Sequence, residues 1–211
     1  MEIVKIFDYM YNVLGKEDRD VAHKNGLWHE TFHCWLVRKR AGKIYVLFQK
    51  RASTKKSYPN MLDIPAAGHL HCDETKEDGV RELNEELGVT SSTDKMRYLG
   101  VRIEIVETPK LYNKEFQHVY LLEDDTALKD YKLQESEVSG LVEVELNAGL
   151  KLLYNEIDSV ECDSVFLENG VLKQEKYILH NEDIIARPDG YYKKVFIMTQ
   201  RYFAGEKYLS I

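Results

Sequence analysis

Apolar and polar positions along the chain divide it into short strand-like runs and a few helical stretches. Residues 32–37 and 43–50 are rich in β-branched, aromatic and aliphatic side chains, and Ala41-Gly42 between them predicts a hairpin. Residues 57–65 contain Pro59 and Pro65 and predict irregular chain. Residues 75–87 carry helix punctuation: Thr75 as a cap with Asp78 three residues on, and Gly88 at the C-terminal position. Runs at 97–106, 116–123 and 141–146 predict further strands. Residues 147–156 predict a helix, and 194–208 a closing helix with Val195, Met198, Tyr202 and Phe203 on one face. The stretch 161–185 is mixed and predicts no single element. Strands, one charged helix, more strands and late helices make an α+β order rather than alternating βαβ units.

The chain has 211 residues, about 1.4 times a typical ~150-residue domain. With no Gly/Ser-rich linker and no repeat, the expectation is one domain over 1–211 with a C-terminal elaboration from about residue 147. Apolar residues make up 44% and charged residues 31%, enough to bury a core. A net charge of −7 argues against gripping a nucleic-acid polymer or an anionic membrane. The longest apolar run, residues 44–48, is far below the ~20 residues of a spanning helix, so no transmembrane segment is expected. The start Met1-Glu2-Ile3-Val4-Lys5 lacks the signal-peptide pattern. Three cysteines, Cys34, Cys72 and Cys162, show no metal-type spacing and predict a reduced, cytoplasmic chain.

The charged helix carries the chemistry. At about 100° per residue, Glu82, Glu85 and Glu86 share an arc of about 100°, while Val80, Leu83 and Leu87 lie on the opposite side. Like charges at this spacing repel by a few tenths of a kcal/mol per pair. A solvated acidic face with Arg81 and Lys76 nearby is one account. A hard divalent cation such as Mg²⁺, which takes carboxylate oxygens, is the other.

Arg81-Glu82-Leu83-Asn84-Glu85-Glu86-Leu87-Gly88-Val89 resembles the core of the Nudix box, R-E-U-x-E-E-x-G-U, with all seven defined positions filled. The full pattern begins G-x5-E-x7-R. Gly68 and Glu74 fit its start, but six residues separate Glu74 from Arg81, one fewer than the pattern asks. With Asp73 in the acidic position the shortfall moves to the other side. The box thus spans residues 68–89. The resemblance implies a Nudix fold, a mixed β-sheet sandwiched between helices, here with a C-terminal helical elaboration. It further implies a Mg²⁺- or Mn²⁺-dependent hydrolase of small-molecule diphosphates, with a homodimer left open.

Residues 26–35, 47–51 and 63–69 look like the branch related to isopentenyl-diphosphate isomerase. Those enzymes use a cysteine just before a Gly-His pair and hold a metal with histidines and glutamates. Here Ala67 precedes Gly68-His69, so the cysteine is missing. His23, His29, His69 and Glu115 still stand where a second metal site would be. The blander alternative, preferred on sequence, has His29 and His33 flanking a strand beside Trp28 and Trp35. The complete box and the absent cysteine favour hydrolysis, with isomerase chemistry and a non-catalytic nucleotide-binding module as alternatives.

For a hydrolase the resemblance assigns the metal to Glu82, Glu85, Glu86 and the carbonyl of Gly68, where a glycine permits close approach. Arg81 is expected to pair with a box glutamate and orient it. Arg51 and Lys50, at the end of a strand, are expected to hold phosphate. Candidates for the general base are Glu86, Glu115 and Glu137. Trp28, Tyr58, Tyr112, Phe116 and Tyr192 are candidates to stack on a base, but no spacing names the group carried by the diphosphate.

Overall fold

The computed structural model describes residues 2–108 and 111–211; Met1 and Pro109 lie outside them. The elements in order are β1 (Ile3–Phe7), β2 (Val13–Asp18), α1 (Arg19–Asn25), β3 (Trp28–Arg40), β4 (Lys43–Arg51), β5 (Leu62–Asp63), β6 (Ala66–His69), α2 (Arg81–Leu87), β7 (Met96–Thr108), β8 (Leu111–Glu123), β9 (Val138–Glu145), α3 (Leu146–Leu153), β10 (Val160–Glu168), β11 (Val171–Leu179) and α4 (Tyr191–Phe203).

Strand β3 organises the mixed sheet. One of its edges pairs in parallel with β8, from Trp28↔Lys114 to Val37↔Glu123. Its other edge is divided. The C-terminal half pairs with β4 through the two-residue Ala41-Gly42 turn, and the N-terminal half pairs with β6, from Thr31↔His69 to Cys34↔Ala66. Both turn residues have positive φ (49° and 79°), the geometry of a tight hairpin turn. Because β4 leaves β3 early, it continues beside β9 and β5, and a cleft opens where β6 takes its place.

Period-2 alternation on β3 sends its side chains to two layers. Phe32, Cys34 and Leu36 join Leu83 and Leu87 of α2, while Trp35 and Val37 join α3, α4 and the β9–β10 region. Helices therefore cover both faces, as the α+β sandwich requires.

The C-terminal third is not purely helical. β10 and β11 form a hairpin that extends the sheet beside β9. Its turn, Asn169-Gly170, has φ of 52° and 77°. β11 is a charged edge strand, so its apolar signal is weak. The closing helix runs Tyr191–Phe203 rather than 194–208; Gly190 caps its start, and Ala204 and Gly205 end it. Among the described residues, no helix is long and apolar enough to cross a membrane.

Tyr191 ties this segment to β3. The Trp35 Nε1–H donates to the Tyr191 hydroxyl at 3.0 Å, and that hydroxyl lies 3.1 Å from His33 Nδ1. Burial, with the charge of Arg187 nearby, pushes the His33 pKa down to about 3. The unfolded chain therefore binds a proton at this site from about pH 6.5 downward while the folded chain does not. Stability should fall as pH drops through that window. Between pH 6.5 and 4.5 the wild type should lose about 2–3 kcal/mol more than His33→Gln in urea unfolding. Parallel pH profiles for the two proteins would exclude His33 as the group.

Candidate active site

The box is shaped by close contact between α2 and β6. Ala67 N–H donates to Glu86 Oε2 at 3.2 Å. A Cβ on Gly68 would collide with the Glu82 carboxylate, so the glycine is what admits that side chain to the strand. Leu83 and Leu87 anchor the helix in the core, and Glu85 stays half exposed.

Arg81 is the hub. Its Nε meets Glu74 Oε1 at 2.6 Å, one Nη reaches Glu85 at 3.3 Å and Glu82 beside it, and the other donates to the His69 carbonyl at 2.9 Å. Glu74, whose place the short spacing left open, is thus the acid Arg81 holds. The predicted helix from Thr75 starts instead at Arg81, after a 3₁₀ turn over Asp78–Val80. Thr75 N–H and Oγ1 both donate to Asp78 Oδ2 at 2.8 Å, closing a turn of their own. A 3₁₀ turn advances about 2.0 Å per residue against 1.5 Å in an α-helix, so one residue fewer spans the lead-in.

Burial raises the proton affinity of Glu86 well above the ordinary carboxylate range, and the Glu82 charge adds to it. Glu82 is also raised, by burial that outweighs its Arg81 pairing. Two buried carboxylates under mutual repulsion, a third on the open side and a strand without Cβ at the contact fit an oxygen-liganded divalent cation.

A second cluster lies beside the first. His23, His29, His69 and Glu115 present ligand atoms all within 4.8 Å of one another. The pairing brings the four residues together: β3 and β8 run in parallel with His29 opposite Glu115, and β6 brings His69 alongside, which favours the metal-site alternative over simple packing of His29 beside tryptophan. His29 Nδ1 bonds the Leu27 carbonyl at 2.8 Å as a donor, which leaves Nε2 with its lone pair free; that atom is buried without a hydrogen bond among the described residues. Burial lowers the pKa of both His23 and His69, and their Nε2 atoms lie 3.0 Å apart. Burial alone would raise Glu115, yet its surrounding donors, with Gln117 Nε2 at 2.6 Å and Asn113 Nδ2 at 2.7 Å, favour the ionised form, and its pKa lies well below the usual range. Three imidazoles, two of them with proton affinity lowered by burial, around an ionised carboxylate suit a transition-metal or zinc-like ion.

The remaining expectations divide. Arg51 lines the cleft, donating to the Ser57 carbonyl at 3.0 and 3.2 Å and lying 3.8 Å from Asp63. Lys50 does not line it. Its Nζ sits 4.8 Å from the Phe166 ring centre and 5.4 Å from that of Tyr177, because successive strand residues point to opposite faces. Glu137 lines the cleft, paired with Lys55. The cleft, about 930 Å³, also takes in Asp63, Glu104, Gln117 and Arg187, which sequence reasoning missed. Arg187 lies in Ala186-Arg187-Pro188-Asp189-Gly190, a turn-like stretch with no motif to mark it.

Known proteins resemble this chain at two levels. An uncharacterized Nudix hydrolase of Clostridium acetobutylicum is 38% identical over 200 residues, covering 92% of this chain and 95% of the relative. An isopentenyl-diphosphate Delta-isomerase of Photobacterium profundum is 29% identical over 57% of this chain and 67% of its own length. The crystal structure of DR0079 from Deinococcus radiodurans shares the fold, with a TM-score of 0.55 at 21% identity, over 73% of this chain and 90% of that one. The NUDIX domain family model matches residues 27–160, which contain the whole acidic helix and its glycine strand, and the chain belongs to that family.

Proposed function

We propose that this protein is a metal-dependent hydrolase that cleaves a diphosphate linkage in a nucleoside-diphosphate-X type or related small molecule, by attack of water on phosphorus. Pyrophosphohydrolase is the enzyme class of the family to which the chain belongs. The buried Glu82–Glu86 pair on the Gly68 strand carries the reading, since the fold bears its cost with no neutralising arginine on Glu86. Glu82, Glu85, Glu86 and the Gly68 carbonyl would hold Mg²⁺ or Mn²⁺, which when bound supplies charge neutralisation at the phosphates and lowers the pKa of water. Arg81 orients Glu82 and Glu85, and Arg51 faces the phosphates. Glu86 is the proposed base, because its environment favours taking up a proton. Glu115 is better suited to holding a second ion with the three histidines, since its hydrogen bonds stabilise the ionised form. A reducing, cytoplasmic setting belongs to the same proposal, supported by three cysteines that are all free.

A panel of diphosphates with Mg²⁺ or Mn²⁺ and inorganic phosphate readout tests this reading. Metal-independent turnover, or none on any diphosphate, would defeat it.

The histidine cluster is the observation that favours the isomerase alternative. Against it, Ala67 offers no thiol, and Cys34, across the strand pair from Ala66, is buried in the α2-side core with its thiol pushed up by burial. The purified protein is therefore expected not to interconvert the two five-carbon diphosphate isomers. Measurable conversion, followed by NMR, would restore the isomerase reading.

A further inference from the structure

Beside the polar cleft lies a second chamber of about 430 Å³. The two share Tyr58, Ile185, Ala186 and Arg187 in their walls, so one guanidinium and a short length of chain divide them. The chamber differs in chemistry: Met61, Leu153, Ile184 and the ring of Tyr192 line it. Much of it is built by residues beyond the 27–160 span of the family match. Leu62 and Ile184 form a parallel bridge, and Ile185 N–H donates to the Leu62 carbonyl at 3.1 Å, fixing this segment onto β5.

Arg187 is a neutralised partition. Its Nη2 donates to Asp63 Oδ1 at 3.1 Å, its Nε to the Tyr192 hydroxyl at 3.1 Å, and its Nη1 to Glu104. The Tyr192 hydroxyl in turn donates to Asp63 Oδ1 at 3.1 Å. Each guanidinium nitrogen has a protein partner, and the Asp63 and Glu104 carboxylates balance the charge, which makes Arg187 a poor anchor for an anion. Charge then sorts a two-part ligand. Its phosphates belong among the carboxylates, histidines and Arg51 of the cleft, where cations can gather. An uncharged group gains by leaving water for the apolar walls next door.

We propose that this chamber is the subsite for the non-phosphate end of the diphosphate held in the cleft, and that it takes an uncharged, mostly apolar group. The proposal rests on the hydrolytic reading above. Two groups share that chemistry, a nucleoside ring system and a branched prenyl chain. Polar atoms in the chamber wall favour the ring. Asn181 Nδ2 donates to the Leu152 carbonyl and to Asn155 Oδ1 at 2.7 Å each. Among the described residues, Asn181 Oδ1 and the solvent-facing Asn155 Nδ2 have no protein partner, an acceptor and a donor that a heterocycle can engage and a prenyl chain cannot.

The test is equilibrium binding, by calorimetry with Mg²⁺, of three non-hydrolysable methylenediphosphonate monoesters: methyl, prenyl and 5′-adenosyl. The full chain should bind the adenosyl ester at least about tenfold more tightly than the methyl ester. Met61→Trp and Leu153→Trp, which fill the chamber from different elements, should each abolish that preference while leaving methyl-ester affinity unchanged. Saturation transfer from the Met61 methyl group to ligand ring protons reads occupancy in the wild type, should either variant fold poorly. A preference for the prenyl ester, lost in both variants, would keep the chamber and reassign its occupant. Equal binding of all three esters, a preference that survives both variants, or no transfer from Met61 would overturn the proposal. Hydrolysis of diphosphate panels is scored separately. Turnover without a chamber-dependent preference removes only the subsite, and a chamber-dependent preference without turnover removes only the hydrolytic reading.

Discussion

Replacing Glu86 by Gln should lower hydrolysis by about 10²–10⁴-fold, the usual weight of a positioned acid–base group, and leave the metal-free protein more stable, not less. The carboxylate is buried, faces the Glu82 charge and, among the described residues, accepts only the Ala67 N–H. A glutamine keeps that hydrogen bond through its carbonyl oxygen and removes the repulsion. The sign follows from linkage. The folded-state pKa of Glu86 is raised above its unfolded value, so the ionised group costs stability at any pH above the unfolded pKa, increasingly up to the folded one. The gain in Tm for Glu86→Gln should therefore be clear at pH 7 in EDTA and vanish below about pH 4. Adding Mg²⁺ should reverse the order, because a ligand at 100 times its Kd stabilises the wild type by about 2.7 kcal/mol and the variant by less. Full activity in the variant, or an identical metal response in both proteins, would remove Glu86 from the site.

The acidic helix was legible because its evidence is local. Seven defined positions within nine residues place three carboxylates on one face, and that face forms as the periodicity requires. The β3–β4 hairpin was legible for the same reason, through Ala41-Gly42. The Asn169-Gly170 turn carried an equally strong local signal, but β11 beyond it reads Val-Leu-Lys-Gln-Glu-Lys-Tyr-Ile-Leu and alternates too weakly to declare a strand. The β1–β2 hairpin and α1 were missed because all three elements are short, and β2 and α1 bury few side chains. Long-range pairings account for the rest. Nothing local says that β8 will run parallel to β3, and only that pairing sets Glu115 beside His29. Lys50 and Arg51 are adjacent in sequence, so their opposite fates depend on the face each takes in β4. Arg187 reaches the cleft only because residues 184–185 dock on β5, a contact about 120 residues distant in sequence.

That docking bears on the second large effect, the expected failure of residues 1–146 to fold alone. Trp35 and Phe48, both fully buried, lie under the C-terminal segment: Tyr191 and Tyr192 pack edge-on to Trp35 with ring centres 5.9 and 5.8 Å away, and Phe196 lies 6.0 Å from Phe48. Gly149 of α3 admits the Phe196 ring, since a Cβ there would collide with it. Leu152, Val160, Leu179, Tyr191, Val195 and Phe196 all belong to this one core layer. Fully burying each large side chain is worth about 1.5–3 kcal/mol, so these six alone contribute about 9–18 kcal/mol, as much as the 5–15 kcal/mol by which a domain is typically stable. The truncated chain should be insoluble or lack a cooperative melting transition. A milder probe, Phe196→Ala, should cost about 3–5 kcal/mol in urea unfolding while the chain still folds, since it leaves a cavity against Phe48 and Gly149. If residues 1–146 stayed soluble, monomeric and as heat-stable as the full chain, the segment would be an appendage to a self-sufficient Nudix core. If they folded but lost the preference among diphosphates, the segment would act in specificity alone, and the buried contacts of Tyr191 and Phe196 would be worth far less than their area suggests.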